Sequence, residues 1–155
     1  MKKYFLLLSL VFIGFASCKK SAPAFNAAQQ AATDDAAIQA YIAANKITAT
    51  KDPSGLYYSI ITPGTGAYPT VASTVDVNYT GSLLNGSVFA PTSNITNPLN
   101  SFIQGWQVGI PHINAGGTIL LLIPSALGYG NSSPGGGIPV NSVLIFKINL
   151  LAFSN

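Results

Sequence analysis

The clearest pattern along the chain is the alternation of apolar and polar residues from Val75 to Thr80. Because successive side chains of a strand point to opposite faces, this alternation predicts a strand with one buried face. Runs of apolar and β-branched residues, bounded by turn residues, predict three more strands over 56–61, 118–123 and 143–153. An Asn85-Gly86 pair between apolar residues predicts a hairpin turn after the alternating strand.

A short N-terminal helix is predicted over residues 34–45. Ile38, Tyr41 and Ile42 are spaced to form one apolar stripe, and Thr33 stands before two Asp residues as a candidate N-cap. An isolated helix of this length is marginal in water. We therefore expect it to dock on the rest of the domain or on a second copy of the chain, which would make a homodimer.

The remaining segments are rich in Gly, Pro, Ser and Asn. They predict polar loops over 90–101 and 128–139, and a weak helix within 103–113, where Gly and Pro lower the helix propensity. Short strands with few helices predict an α+β domain, in which a bent antiparallel sheet packs around one short helix. The N-terminal helix would be an extension of this domain.

The first part of the chain has the pattern of an export signal. In residues 1–17, two Lys follow Met1 and precede an apolar run too short to span a membrane, which is typical of a secretion signal. Small residues before Cys18 resemble a bacterial lipobox, in which the signal is cut before a Cys that then receives lipid; ordinary cleavage, leaving one free thiol, is the alternative. A flexible polar tether is expected over 18–32, a helical extension over 33–50 and the main domain over 51–155.

These signals imply a protein that is exported and lipid-anchored to a bacterial membrane. The outer membrane is the favoured membrane, with the domain on its periplasmic side or at the cell surface.

The charge of the chain excludes several functions. Charged residues make up only 7%, neither Arg nor Glu is present, and the formal net charge of +3 falls to +1 when Lys2 and Lys3 leave with the signal, since 3 − 2 = 1. Without a basic patch, nucleic-acid binding is not expected. A single Cys and a single His, His112, expected at the surface, leave no set of metal ligands, so neither a metal nor a cofactor is expected.

The segment from Phe102 to Phe146 holds an apolar and aromatic set interrupted by Gly and Pro. It contains no Asp, Glu, Lys, Arg or Cys, so a site here cannot depend on acid–base exchange or a strong nucleophile. Such a site can hold an apolar ring against aromatic faces, which points to proline. Trp106 and Tyr129, each beside Gly, are expected to line a pocket rather than to fill the core.

Several segments, taken in order, resemble the FKBP-type peptidyl-prolyl cis-trans isomerases, and the resemblance covers residues 55–153. The matching segments are Val75–Leu83, Asn85–Phe89, Phe102–Gln107, Ala115–Gly116, Leu122–Pro124, Leu127–Gly130, Ile138–Pro139 and Leu144–Leu150. Each segment is weak alone, but their order and spacing are specific. The signal, the lipobox and the Gly-Leu-Tyr-Tyr segment at 55–58 also resemble secreted lipoprotein members of that family from bacteria.

The resemblance implies an enzyme that isomerises Xaa-Pro bonds and assists the folding of exported proteins. Its partners would be proline-containing polypeptide segments. Trp106 would form the floor beneath the proline ring, while the Ile103 N–H and the Tyr129 hydroxyl would donate hydrogen bonds to substrate carbonyls. The resemblance assigns catalytic roles to Tyr79, Phe89, Ile103, Trp106, Tyr129 and Phe146, and substrate contacts to Phe102, Ile138 and Ala90.

The chain departs from the family pattern in three places. Ala90 stands where most active members carry Asp, Asn97-Pro98-Leu99 replaces a pocket-wall Phe, and the lip over 134–137 is Gly-rich. A lost hydrogen bond from a charged group is worth about 1.5–3 kcal/mol, or roughly ten- to two-hundredfold in rate. We therefore expect reduced activity and a more open pocket. The alternative is a binding module or chaperone of the same fold with little or no turnover.

Overall fold

The structure is a computed structural model and describes residues 25–155. The predicted signal over 1–17, the lipidation site at Cys18 and the first part of the predicted tether lie outside the described residues. Within 25–155, no helix is both long and apolar enough to cross a membrane.

Two helices and six strands form the domain. They are α1 (Ala27–Ala44), β1 (Thr50–Lys51), β2 (Tyr57–Thr62), β3 (Thr74–Leu83), β4 (Val88–Pro98), α2 (Gln104–Gly109), β5 (Thr118–Ile123) and β6 (Leu144–Ser154). Three short 3-10 turns cover Leu99–Ser101, Ile110–His112 and Ser125–Leu127. The strands form one antiparallel sheet in the order β1-β2-β5-β6-β3-β4, which confirms the predicted α+β fold.

Helix α2 lies close against β5 because two of its residues lack side chains. Gly105 and Gly109 stand one turn apart, and a Cβ at either position would lie 2.5 Å from Ile123 or Leu121, respectively. The glycines that weaken this helix in the sequence are therefore the residues that let it approach the sheet. Ile119 shares the same face of β5, and its side chain is also fully buried in the main core.

The predicted polar loop over 90–101 is wrong, because most of this segment forms strand β4, paired with β3 from Ser82 to Thr74. Strand β4 lies at the edge of the sheet and exposes most of its residues, so it needs no apolar alternation. Its polar side chains add cross-strand hydrogen bonds, such as those from the Asn94 amide to Asp76 and Asn78. Pairing with β3, rather than burial, determines this strand.

Helix α1 starts earlier than predicted. It begins at Ala27, and the Asn26 side chain caps it by accepting a hydrogen bond from the Gln29 N–H at 3.0 Å. The predicted tether over 18–32 is therefore wrong in its C-terminal part, because the Ala and Gln residues there favour a helix. Thr33 is not the N-cap; its hydroxyl donates to the Gln29 carbonyl, one turn earlier in the same helix.

The apolar stripe of α1 docks on the chain's own domain. Ile38 is fully buried and packs in a small second core with Tyr57, Leu122 and Val143. Leu122 points away from the face that α2 covers, so α1 covers the opposite face of the sheet. The stripe that could have bound a second copy is therefore covered by the same chain.

Two adjacent carboxylates attach α1 to the domain in different places. Asp34 is buried, and its Oδ2 accepts hydrogen bonds from the N–H and the hydroxyl of Ser125, after β5. Asp35 is partly exposed and binds Lys51 and the Tyr57 hydroxyl, on β1 and β2. The Lys51 ammonium, together with that hydroxyl, holds the pKa of Asp35 below its ordinary value. The sequence predicted both Asp residues at the helix N-terminus, and this prediction is wrong because the helix begins at Ala27.

Candidate functional site

One cavity of about 320 Å³ brings together the residues predicted for the pocket. Its lining consists of Tyr79, Phe89, Ala90, Ser101, Phe102, Ile103, Trp106, Tyr129, Ile138 and Phe146. Ser101 is the one member that the sequence did not predict. Its hydroxyl donates to the Pro98 carbonyl at 2.6 Å, and its position before Phe102 was the only available signal.

Several parts of the fold contribute to the cavity. Strands β3 and β6 supply Tyr79 and Phe146, and the start of β4 supplies Phe89. The first turn of α2 supplies Trp106, while the loop after β5 supplies Tyr129. Residues far apart in the chain therefore meet only because the sheet and α2 pack together.

Gly81 makes room for the aromatic walls. It pairs with Ala90 on one side and Phe146 on the other, and the register of β3 against β4 shifts around it. A Cβ at this position would collide with the rings of Phe89 and Phe146. The absence of a side chain at residue 81 therefore allows both rings to lie at the cavity.

The Trp106 indole lines the cavity and is only 3% exposed. The Tyr79 ring lies 5.0 Å from it at an interplanar angle of 78°, and the Phe146 ring lies 5.2 Å from it at 89°. Phe102 packs at 4.8 Å with a tilt of 33°. Edge-to-face pairs of this kind add about 0.5–1.5 kcal/mol each beyond buried area, so the indole is held firmly in one orientation.

Two hydrogen-bond donors at the cavity have no acceptor among residues 25–155. The Ile103 N–H precedes the first turn of α2, and the Tyr129 hydroxyl is at the mouth, where this residue is 38% exposed. The Trp106 Nε1 also lacks a partner in this part of the chain, but it is enclosed beneath the surface. The cavity thus combines apolar walls with donors that could meet a peptide carbonyl.

The lining contains no carboxylate, amine, imidazole or thiol. His112 is not part of it: its ring stacks on Tyr58 at 4.1 Å, and its Nε2 lies 3.8 Å from Asp52. The predicted surface position of His112 is only partly right, because this stacking buries much of the side chain. What the cavity can do is bind an apolar ring against aromatic faces and donate hydrogen bonds beside it.

The three departures noted in the sequence have different positions. Ala90 lines the cavity, whereas Leu99 is fully buried in the core. In the described chain, neither Leu99 nor any residue of 134–137 belongs to the lining. Three consecutive glycines of that lip have positive φ, a backbone conformation that other residues rarely adopt.

A family model described as FKBP-type peptidyl-prolyl cis-trans isomerase matches residues 66–151. The chain is 43% identical over 104 residues to the outer membrane protein MIP of Legionella longbeachae, a match covering 64% of this chain and 45% of that protein. It is 39% identical over 118 residues to the isomerase FkpA of Aeromonas hydrophila, covering 72% and 44%, respectively. The chain thus spans less than half the length of these relatives.

Solved structures agree with these matches. The crystal structure of FkpA from Escherichia coli superposes with a TM-score of 0.70 at 32% identity, covering 82% of this chain and 62% of that one. A peptidyl-prolyl cis-trans isomerase from Pseudomonas syringae gives a TM-score of 0.69 at 27% identity, covering 86% and 100%. The fold, the cavity and the matched segments agree, and the chain belongs to the FKBP-type peptidyl-prolyl cis-trans isomerase family.

Proposed function

We propose that the protein catalyses cis–trans isomerisation of Xaa-Pro bonds in exported polypeptides. The observation that carries the proposal is a cavity lined by Trp106 and other aromatic side chains, without a carboxylate, amine, imidazole or thiol. The family to which the chain belongs supports the same reaction.

The reaction needs no proton transfer. Rotation about a peptide bond faces a barrier of about 18–20 kcal/mol, because resonance keeps the amide planar. The twisted amide has lost this resonance and much of its dipole. An apolar cavity therefore penalises the planar amide more than the twisted one, and this difference between ground and transition states lowers the barrier.

Each part of the cavity has a role in this proposal. The proline ring sits on the Trp106 indole, between the walls formed by Tyr79, Phe89 and Phe146. The Ile103 N–H and the Tyr129 hydroxyl donate to substrate carbonyls and hold the peptide in place. Phe102, Ile138 and Ala90 contact the residues that flank the proline.

Binding without useful turnover is the second candidate function. Ala90 favours it, because the cavity lacks a carboxylate at the position where the family pattern has Asp. The core position of Leu99 favours it too, because no ring from this segment closes the wall. The protein would then hold proline-containing or apolar segments as a chaperone.

We further propose that the protein is exported and anchored to a membrane by lipid on Cys18. The support is the short apolar signal, the small residues before Cys18 and the name of one relative, an outer membrane protein.

The mature protein should begin at Cys18 and carry the added mass of lipid, which mass spectrometry of its N-terminal peptide measures. A Cys18→Ser variant is the control and should lose both the lipid and membrane fractionation. A mature chain that begins elsewhere without lipid would contradict the proposal.

The unmodified protein should accelerate exchange of an Xaa-Pro peptide at micromolar concentration, as measured by NMR exchange spectroscopy. Tyr129→Phe should lower kcat/KM about two- to tenfold, the value of one neutral hydrogen bond. Tyr68→Phe is the matched control, because Tyr68 is more than half exposed and lies outside the cavity, and it should leave kcat/KM unchanged. Absence of any acceleration by the unmodified protein would overturn the proposal.

The rate should hardly depend on pH. Since the lining contains no carboxylate, imidazole, amine or thiol, kcat/KM should stay constant within about twofold between about pH 5.5 and 8.5. The measurement is the same exchange assay in a buffer series of constant ionic strength. A sigmoidal or bell-shaped profile would show that an ionising group takes part, which contradicts the proposed mechanism.

Ala90→Asp should raise kcat/KM, by about ten- to two-hundredfold if a charged hydrogen bond acts fully in the transition state. Ala90→Asn is the control, because Asn is similar in size to Asp but carries no charge, and it should give a smaller increase in kcat/KM. Suppression of aggregation of an unfolded client should change little in either variant. If the unmodified protein already isomerises at rates typical of its family, the second candidate function fails.

A further inference from the structure

Asp34 is the one carboxylate buried in the contact between α1 and the domain, among the residues that the structure describes. The residue is only 2% exposed. Its Oδ2 accepts from the Ser125 N–H at 2.8 Å and the Ser125 hydroxyl at 2.6 Å, and its Oδ1 accepts from the Gln30 amide at 2.7 Å. The carboxylate is thus fully paired although it is buried, and it joins two segments 91 residues apart.

The residue that Asp34 binds controls the backbone on both sides of Tyr129. The Ser125 carbonyl accepts from the Gly128 N–H at 3.0 Å and from the Gly130 N–H at 2.8 Å. Tyr129 therefore stands between two amides that bind the same oxygen atom. Any movement of the Ser125 backbone that shifts this oxygen atom also shifts the backbone position of Tyr129.

The far side of Tyr129 has weaker support. Residues 131–137 are exposed and contain three glycines in succession. The Gly130 carbonyl accepts from the Asn141 N–H at 2.8 Å, which ties this residue to the turn before β6. Ser125, the buried residue of the Ser125–Leu127 turn, is thus the anchor on the N-terminal side of the loop.

Loss of the Asp34 carboxylate would leave the buried N–H of Ser125 without a partner. A buried donor without an acceptor is costly, and the turn lowers this cost when the Pro124–Ser125 peptide, which carries the N–H, rotates toward water. The Pro124 carbonyl of the same peptide accepts from the Leu127 N–H, so this rotation would loosen the turn and shift the adjoining Ser125 carbonyl away from the N–H groups of Gly128 and Gly130. The effect would reach the cavity although Asp34 itself does not line it.

We propose that Asp34 is a positioning residue for the isomerase site: through Ser125 it orients Tyr129, so that helix α1 forms part of the working enzyme. This inference rests on the proposed function, in which the Tyr129 hydroxyl binds a substrate carbonyl. It gives the N-terminal extension a task beyond carrying the domain at a distance from a membrane.

The first test measures amide hydrogen exchange by NMR in the full mature chain. Asp34→Ala should speed exchange at Gly128 and Gly130 by about tenfold or more, relative to the average of the sheet. Asp34→Asn keeps an acceptor oxygen and should give a smaller increase. Asp35→Ala is the matched control, because the adjacent carboxylate binds β1 and β2 and should leave both amides unchanged.

A second control separates positioning from general loss of stability. Ile119→Val shortens a fully buried side chain at the far end of β5 from the turn, so any exchange increase should be spread over the sheet. Equal exchange at Gly128 and Gly130 in Asp34→Ala and the parent chain would overturn the proposal. An increase no larger at these two amides than elsewhere would also overturn it.

The third measurement is a double-mutant cycle on kcat/KM. Asp34→Ala should lower kcat/KM by about two- to tenfold, no more than Tyr129→Phe does, because it acts through the same hydroxyl. In the Tyr129→Phe background it should cause no further loss, whereas a merely structural effect would lower kcat/KM equally in both backgrounds and overturn the proposal. If the parent chain does not isomerise at all, the proposed function fails, and the amide exchange alone then supports or overturns the positioning role.

Discussion

The close approach of helix α2 to strand β5 is the contact on which the rest of the structure depends. Gly105 and Gly109 remove the side chains that would hold the helix away from Leu121 and Ile123. Trp106, which follows Gly105 in the helix, is thereby held against the sheet and lines the cavity. The packing of α2 on β5 buries the main core and also sets the position of Trp106 in the cavity. The apolar contact that stabilises the fold therefore also shapes the cavity.

The second general feature is the separation of charge from the site. The charged side chains of the described chain lie on α1, on β1 and the turns that flank it, and at Asp76 and Lys147, and none of them lines the cavity. Lys147 follows Phe146 in strand β6, and adjacent residues of a strand point to opposite faces of the sheet. The Lys147 charge therefore lies on the face opposite the aromatic walls. The field at the site comes from fixed dipoles and ring faces, which suits a reaction whose transition state is less polar than its ground state.

The N-terminal helix shows how a weakly amphipathic segment can become part of a domain. Its stripe buries one fully enclosed side chain, Ile38, and adds a buried carboxylate whose oxygens are all paired. A buried carboxylate costs desolvation free energy, so it stabilises a fold only where its partners are well placed. The partner here is the turn that leads to Tyr129, which links the stability of the helix contact to the shape of the cavity.

Elements with a local signal were predictable from residue order: the alternation in β3, the apolar run of β5, and the aromatic residues whose order indicated the family and the cavity lining. The pairing of the polar segment after Val88 as an edge strand was not, because this pairing is stabilised by backbone hydrogen bonds and needs no apolar pattern. Only the tertiary structure decided that Asp34 is buried rather than a capping charge, and that Ser101 reaches the cavity. These outcomes depend on partners distant in the chain, and residue type and local spacing do not indicate which partners those are.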